Sequence, residues 1–489
     1  MITKNIFLLS IISPLIGVIL LTSLPSKEKR LLKLIAFDFS CISFLGFIYL
    51  WACLDKSISK FQFVDKLNLI PLLNVNLTVG VDGISLLFLL LTTLLIPLCI
   101  LSAWNSIYFN LKEFLILFLL LNFFLINVFC SLDLLTFYLF FESVLIPMFL
   151  IVGIWGSRER KILAAYYFFL YTLFGSVLML LAVIYILEQV GTTDYEIILT
   201  FSFSGLEEKL LWVAFFLAFA GKVPMVPFHL WLPEAHVEAP TAGSVILAGV
   251  LLKLGTYGLI RFSLPFFPKA SLFFAPLVYT LVTVSVLYTS FTAIRQTDFK
   301  RIIAYTSIAH MNLVVLGIFS FNAIGIEGAI FQSLSHGFIA SGLFLIIGVV
   351  YDRFKTRIVQ YYGGLATVMP LFVCLFLFFS MANIGFPGTS SFLGELLILV
   401  GSFKINTTIT FFCGLSMIIS GGYSLWLFNR ISYGNLKLQY MNFFLDISYR
   451  EFLVFAPLVI GSLISGIYSG IFLNSIHMNV YNIVELLYF

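Results

Sequence analysis

Long stretches without a charged residue are the feature that most constrains this chain. The stretches 162–187, 270–294 and 358–394 carry no Asp, Glu, Lys or Arg, and each exceeds the about 20 residues that an apolar helix needs to cross a bilayer. Of the 489 residues, 61% are hydrophobic and 10% are charged. The sequence therefore predicts an all-α polytopic membrane protein and excludes an ordinary soluble fold.

The apolar stretches divide the chain into fourteen predicted membrane helices with short polar loops between them. This spacing leaves no room for a soluble domain, so we expect residues 1–489 to form a single integral membrane domain. The predicted helices, numbered 1 to 14 in chain order, are 5–24, 31–54, 84–104, 112–129, 131–153, 162–187, 209–231, 240–262, 270–294, 300–321, 324–350, 368–402, 407–430 and 452–474.

Proline and glycine interrupt two of the predicted helices. Pro224 and Pro227 break helix 7, and Gly385, Pro387 and Gly388 break helix 12. The breaks lie five helices apart, and an odd number of helices gives consecutive blocks opposite orientations in the membrane, as in transporters with discontinuous helices. The pattern predicts helices 1–3 in residues 1–110, two inverted five-helix repeats (helices 4–8 in 111–265 and helices 9–13 in 266–430), and a helix 14 region in 431–489.

Several ionisable residues fall at membrane depth in the predicted helices. A charge near the bilayer centre costs about 2.5 to 3.5 kcal/mol on insertion scales, so such residues usually pair or line a wet path. Acidic and basic groups together are what a relay of protons requires. We also expect the carbonyls freed by the helix 7 break to hold water or an ion. The predicted series is Glu142, Lys222, Lys253, His310, His336 and Glu395.

Two structural interpretations compete with the relay. Glu142 and Lys222 are also consistent with one buried ion pair that fixes helix packing, although such a pair leaves Lys253 and Glu395 unexplained. His310 and His336 are also consistent with neutral packing residues bonded to a carbonyl. The sequence leaves these alternatives open.

Other charged residues lie near the predicted helix ends. Asp38, Asp133 and Glu327 are expected to reach the membrane interface by snorkelling. His229 and His236, with Glu234 and Glu238, fall in the loop after helix 7, where either a metal site or proton collection at a pathway mouth is conceivable. We prefer proton collection or simple solvation of the loop.

The distribution of Lys and Arg indicates the orientation in the membrane. Most of the 27 cations lie in loops or at helix ends on one side of the predicted helices, and only Lys222 and Lys253 lie inside the helices away from their ends. By the positive-inside rule, both termini and the loop from Lys56 to Lys66 face the intermembrane space or periplasm. The net charge of +4 comes without a basic stripe, which argues against a nucleic-acid partner.

Other sequence features bear on cofactors and origin. No GxGxxG or GxxxxGK[ST] motif follows a strand, and no cysteine cluster could hold an iron–sulfur centre. The first apolar run lacks the Arg-rich, Ser-rich character of a transit peptide, so it predicts a membrane helix. With 56 Phe, the composition indicates an AT-rich organellar genome, and a bacterial origin is the alternative.

A series of motifs resembles chain 4 of NADH:ubiquinone oxidoreductase (respiratory complex I), the counterpart of bacterial chain M. The similarity extends from about residue 80 to residue 430. The motifs are Val81-Asp-Gly-Ile-Ser85, Lys222-Val-Pro-Met-Val-Pro-Phe-His-Leu-Trp-Leu-Pro-Glu-Ala-His-Val-Glu-Ala-Pro240, Ile303-Ala-Tyr-Thr-Ser307 with His310, Leu334-Ser-His-Gly337 and Pro387-Gly-Thr-Ser-Ser-Phe-Leu-Gly-Glu395.

The resemblance implies an antiporter-like, proton-translocating subunit without a redox centre. NADH, flavin, iron–sulfur clusters and ubiquinone are then handled by other subunits of the translocase. The implied partners are other membrane subunits of complex I, including neighbouring antiporter-like chains, and membrane lipid. The implied location is the mitochondrial inner membrane, with a bacterial inner membrane as the alternative.

The resemblance also implies roles in proton transfer for individual residues. Gly221 and Glu327 depart from the family's pattern. The implied positions are Glu142 in helix 5, Lys222 at the helix 7 break, Lys253 in helix 8, Glu395 as the exit glutamate of helix 12, His336 after Leu-Ser in helix 11, and His310 after Ile-Ala in helix 10.

Two other functions are compatible with these features. A subunit of a multi-subunit cation/proton antiporter would share the fold, but the string Glu234-Ala-His-Val-Glu-Ala-Pro240 favours complex I. A membrane scaffold without transport would leave the charges in the broken helices unexplained.

Overall fold

The computed structural model describes residues 2–70, 74–437, 439–440 and 444–488. Most of them are helical. The helices are α1 Ile2–Ser23, α2 Lys29–Cys53, α3 Gly83–Ser102, α4 Leu111–Cys130, α5 Leu134–Ser143, α6 Leu145–Trp155, α7 Lys161–Val190, α8 Tyr195–Leu199, α9 Gly205–Lys222, α10 Trp231–Glu238, α11 Thr241–Ile246, α12 Leu252–Gly258, α13 Leu264–Phe266, α14 Pro268–Ile294, α15 Phe299–Ile318, α16 Ala323–Phe354, α17 Pro370–Ile384, α18 Ser390–Phe403, α19 Thr407–Ser432, α20 Tyr449–Ile467 and α21 Gly470–Tyr488.

The polytopic membrane architecture is confirmed. Twelve helices in the described ranges are long and apolar enough to cross a membrane; one of them runs from Leu134 to Trp155 through α5 and α6. Another runs from Thr241 to Phe266, where the π-helical segments Leu247–Leu251 and Leu259–Ser263 alternate with α11, α12 and α13. The apolar helices α17 and α18 are shorter, because a break separates them.

The expectation of an all-α chain is wrong at one place. Strands β1, Gln62–Ile70, and β2, Val75–Val81, form an antiparallel hairpin in which Leu67 pairs with Leu77. The residues of β2, Val-Asn-Leu-Thr-Val-Gly-Val, are rich in β-branched side chains and favour an extended backbone. A hydropathy window long enough to detect a membrane helix is too long to resolve strands of this length.

The segment Thr241–Phe266 and helix α16 form the centre of the molecule, and the apolar window of each is completely buried. Helix α16 is rich in Gly, Ala and Ser, which allow close helix packing in membranes. A Cβ atom on Gly328 would lie only 2.7 Å from Cβ of Leu397 in α18. The close packing places side chains of α16 against the broken pair α17 and α18.

The two breaks lie where proline and glycine predict them. Helix α9 ends at Lys222, and turns occupy residues 223–230 before α10 begins. Helix α17 ends at Ile384, and Gly385 and Gly388 have φ angles of +85° and +93°, which glycine adopts without strain. Both breaks thus place a helix end beside an ionisable residue.

The C-terminal region differs from its prediction. The predicted helix over 452–474 ends at Ile467, and a separate helix, α21, begins at Gly470. Buried residues Ile476, Val480, Ile483 and Leu487 form one face of α21. This spacing is that of an amphipathic helix, which a search for fully apolar spans does not find.

Contacts place both chain ends on the same side of the helices as the hairpin. Lys4 forms an ion pair of 2.9 Å with Asp65 of β1. Asn479 of α21 donates a hydrogen bond of 3.0 Å to the carbonyl of Ser59, in the loop before β1. The relative position that the sequence predicts for the two ends and this loop therefore agrees with the structure.

Candidate functional site

Glu142 and Lys222 lie together at the end of α9. The Lys222 ammonium is 3.7 Å from Oε1 of Glu142 and donates a hydrogen bond of 2.8 Å to the Phe141 carbonyl. It also lies 3.0 Å from the centroid of the Phe141 ring, a cation–π contact. The break after Lys222 ends the helix at this point, so the side chain reaches α5 directly.

Lys253 and His336 form a second contact in the centre of the molecule. Nζ of Lys253 is 2.8 Å from Nδ1 of His336 and 2.5 Å from the Ala248 carbonyl. An ammonium group only donates, so with Lys253 charged Nδ1 must accept and His336 is neutral with its proton on Nε2. Ala248 lies in a π-helical segment, a distortion common at functional sites.

His310 and Glu395 form the third contact. Nδ1 of His310 lies 3.0 Å from Oε1 of Glu395, and both side chains are buried. The same carboxylate oxygen accepts a hydrogen bond of 2.9 Å from Nε2 of Gln332, whose Oε1 accepts one of 2.8 Å from Ser335. Oε2 of Glu395 faces the helix break, where a Cβ on Gly385 would lie 2.9 Å from it.

The structure therefore brings the six predicted residues together in three contacts. The rings of His310 and His336 have centroids 6.0 Å apart, which joins the second contact to the third. Within the described ranges, no hydrogen bond joins Lys222 to Lys253. Their segments nevertheless pack closely, because a Cβ on Gly255 would lie 2.7 Å from Cγ2 of Val223. The series crosses a close helix contact at this point.

Two carbonyls at the helix 7 break accept hydrogen bonds from protein groups, so protein donors satisfy part of the need for water or an ion that is expected there. The Pro224 carbonyl accepts a hydrogen bond of 3.3 Å from Nδ2 of Asn312. The Gly221 carbonyl accepts one of 2.9 Å from Nε1 of Trp231. Residues from α15 and α10 satisfy the freed groups, as a break inside a membrane protein requires.

Simple solvation of the loop is wrong for His229 and His236, because both imidazoles are buried, whereas proton collection stays a prediction. His236 stacks on Phe344 with ring centroids 4.5 Å apart. The two acids beside them are engaged with arginines: Glu234 pairs with Arg301 at 2.5 Å, and Glu238 lies 4.0 Å from Arg357. Within the described residues no group of three or more His, Cys, Asp or Glu could hold a metal ion.

Sequence reasoning missed three buried cations that it placed in loops. Arg261 pairs with Asp82 at 2.5 Å, and both are buried. Lys300 donates to the Ala239 carbonyl at 2.7 Å and to Oγ of Ser244 at 3.2 Å. The third is Arg357, described above. Hydropathy predicts that a charged residue at a helix end belongs to an exposed loop. In this structure the helix ends are packed inside the molecule, so these charges are buried.

The snorkelling prediction is wrong for Asp133 and stays a prediction for Glu327 and Asp38. Asp133 is fully buried and caps the start of α5 by accepting from the backbone of Leu135 and Thr136. Glu327 pairs with His477 of α21 at 2.5 Å. Asp38 is exposed on α2.

Gln332 is the functional candidate that the sequence search omitted. It binds Glu395 directly and stands four residues before His336, so both project from one face of α16. The four-residue spacing from His336 could have indicated Gln332, but glutamine is uncharged and a search for ionisable residues does not include it.

Comparison with known proteins adds independent findings. Residues 131–421 match the family described as NADH:quinone oxidoreductase/Mrp antiporter, TM. The chain is 57% identical to NADH-ubiquinone oxidoreductase chain 4 of Chondrus crispus, over 99% of this chain and 98% of the relative. It is 55% identical to the chain 4 of Arabidopsis thaliana, over 97% of this chain and 96% of the relative.

Solved structures agree with these relatives. A chain of respiratory complex I from Thermus thermophilus with bound NADH superposes with a TM-score of 0.90 at 31% identity, covering 98% of this chain and 99% of that chain. A chain of the Mrp complex from Dietzia sp. DQ12-45-1b superposes with a TM-score of 0.87 at 19% identity, covering 99% and 98%. At 19% identity, the similarity to the Mrp chain shows a shared fold.

Proposed function

Because the chain belongs to the chain 4 family of NADH-ubiquinone oxidoreductase, a proton-translocating membrane subunit of that enzyme, we propose that its buried ionisable series is the proton path. The path runs from Glu142 and Lys222 through Lys253 and His336 to His310 and Glu395. The single observation that carries this proposal is that all six residues meet in three contacts of 3.7 Å, 2.8 Å and 3.0 Å.

Each contact joins two groups that can exchange a proton or change each other's proton affinity. A lysine next to a carboxylate keeps its proton, and it releases the proton more easily when the carboxylate moves away or is neutralised. His336 can accept a proton from Lys253 at Nδ1, because the two nitrogens already share a hydrogen bond. A static packing role does not require a neutral imidazole to face an ammonium group.

The same contacts support fourteen spans and two inverted five-helix repeats. Joining α9 to α10 and α17 to α18 as two broken spans adds two to the twelve unbroken ones. In each repeat the second helix then contacts the broken fourth helix through ionisable residues, Glu142 with Lys222 in the first and His310 with Glu395 in the second. The domain limits 1–110, 111–265, 266–430 and 431–489 follow from this arrangement.

Partners and location follow from membership in the family. The chain assembles with other subunits of complex I, and we propose that neighbouring antiporter-like chains and membrane lipid cover its apolar outer surface. NADH, flavin, iron–sulfur clusters and ubiquinone belong to other subunits. We propose a multi-pass position in the mitochondrial inner membrane and an organellar gene.

The alternative function, a subunit of a cation/proton antiporter, rests on fold alone. The likeness to the Mrp complex is 19% in sequence, whereas the chain 4 relatives of Chondrus crispus and Arabidopsis thaliana share more than half of their residues with this chain over nearly its full length.

The first prediction tests the contact between Glu142 and Lys222. Glu142→Gln or Lys222→Met, in an assembled complex, should lower proton uptake into reconstituted vesicles by about tenfold or more, since a positioned acid or base typically contributes about 10²–10⁴-fold to proton transfer. Glu451→Gln is the control, because Glu451 forms an ion pair of 2.8 Å with Arg353 outside the series. Full proton uptake in either test variant would exclude the role.

A further inference from the structure

A cavity of about 310 Å³ lies at the end of the molecule where the cation-rich loops meet. Its walls come from residues 106–109 between α3 and α4, residues 154–157 at the end of α6, residues 239–241 at the start of α11, and the end of α16 with the loop that follows. The volume equals that of about ten water molecules at about 30 Å³ each. It is large enough for a phosphate group with its ester substituents.

The charged residues that line this cavity are Lys300, Lys355 and Arg357 against a single acid, Asp352. Glu238 lies behind Arg357, at 4.0 Å from its Nη2, and offsets part of the positive charge. The lining nevertheless keeps an excess of cations. A positive cavity with low-dielectric walls attracts anions.

Arg357 is the strongest indication of a ligand. Its side chain is only 2% exposed, yet neither Nε nor Nη2 has a hydrogen-bond partner in the part of the chain that the structure describes. A buried guanidinium with unpaired N–H groups is costly, at about 1–3 kcal/mol or more for each unsatisfied group. The guanidinium presents a planar fork of donors that matches the oxygens of a phosphate.

Aromatic residues line the same cavity. Tyr108 and Phe109 are 68% and 67% exposed, and Trp155 and Tyr351 lie at the ends of α6 and α16. Aromatic side chains at the ends of membrane helices mark the level of the lipid headgroups. Basic pockets between helices at this level are suited to the headgroups of anionic lipids.

We propose that this cavity binds a phosphate group, with the guanidinium of Arg357 and the ammonium of Lys355 as its donors and the headgroup of an anionic phospholipid as its source. Four observations support it: the excess of cations, the Nε and Nη2 atoms of Arg357 that lack hydrogen-bond partners in the described residues, the volume, and the aromatic lining. The site shares no residue with the proton path, so either proposal can fail without the other.

The test uses the complete complex in phosphatidylcholine vesicles that contain a photoreactive phosphatidylglycerol analogue. The attachment sites on this chain are mapped by mass spectrometry. We expect labelling of residues 106–109 and 154–157, reduced several-fold by Lys355→Gln and by Arg357→Lys. The lysine variant keeps the charge that faces Glu238 but loses the fork, so it avoids the folding defect of a neutral substitution. Arg295→Gln is the control, since Arg295 is an exposed cation of the same face that does not line the cavity.

The outcomes separate the possible sources. If labelling persists in excess inorganic phosphate, the result supports the lipid headgroup as the source of the bound phosphate group. If excess inorganic phosphate abolishes labelling, the result supports free phosphate as the source. Equal labelling in the wild type, Lys355→Gln and Arg357→Lys would overturn the proposal. Equal labelling by a phosphatidylcholine analogue would overturn it as well, because the cavity would then not select an anion.

Discussion

At the scale of single residues, one or two neighbouring groups determine how readily each ionisable group holds or releases a proton. Lys253 illustrates this, since its ammonium lies between a backbone carbonyl and the Nδ1 atom of His336. A charge that only holds helices together has to stay positive, whereas a relay group has to alternate between two protonation states. Substitutions that keep the charge but prevent its release separate these roles.

We predict that Lys253→Arg assembles but pumps poorly. Arginine has a pKa above about 12 and does not release its proton during turnover. Proton uptake in reconstituted vesicles, normalised to assembled complex, should fall by about tenfold or more, as it should in Lys253→Met. Coupling at the wild-type level in the arginine variant would remove Lys253 from the path.

Gly385 provides a second test at this scale. Gly385→Ala imposes a left-handed conformation on alanine, at about 1–2 kcal/mol, and brings its Cβ to 2.9 Å from Oε2 of Glu395. Gly388→Ala is the matched control, with φ of +93° and no atom within 4 Å of the added Cβ. We expect comparable losses of thermal stability but a loss of proton uptake only in Gly385→Ala. Equal proton uptake in the two variants would show that the carboxylate tolerates displacement.

At the scale of elements, the broken helices depend on polar side chains from their neighbours. Asn312 of α15 binds both the Ile308 carbonyl in its own helix and the Pro224 carbonyl of the break. It thereby ties the first predicted repeat to the second. The break is stable because the freed carbonyl does not face lipid.

We predict that Asn312→Ala destabilises the break. The Pro224 carbonyl loses its partner, which costs about 1–3 kcal/mol. Asn127→Ala is the control, because Asn127 is also buried and, within the described residues, its side chain binds the Phe123 carbonyl four residues before it. Hydrogen exchange at residues 223–230 should increase in Asn312→Ala and not in Asn127→Ala. Unchanged exchange in both variants would mean that the break does not depend on this contact.

At the scale of the whole molecule, contacts of the hairpin and α21 hold the chain ends on one side. The ion pair of Lys4 with Asp65 joins the N-terminal end to β1, and the hydrogen bond from Asn479 to Ser59 joins the C-terminal end to the loop before β1. From the distribution of Lys and Arg we expect this side to face the intermembrane space.

We predict that a tag after Phe489 is digested by protease when the outer membrane is removed and the inner membrane is intact. A tag inserted between Lys355 and Arg357, in the cation-rich loop after α16, should be protected in the same preparation and serves as the control. Protection of the C-terminal tag would reverse the assigned orientation.

The sequence by itself determined the membrane class, the approximate positions of the predicted spans, the two helix breaks and the residues of the ionisable series. These features are local, because hydropathy, the missing N–H of proline and the rarity of charges in apolar segments act on a few consecutive residues. Only the tertiary structure decided which ionisable residues meet. His310 and Glu395 are 85 positions apart in the sequence and 3.0 Å apart in space, and Arg261, Lys300 and Arg357 are buried only because helix ends pack inside the molecule. Burial and pairing depend on how helices pack, and that information is distributed over the whole chain.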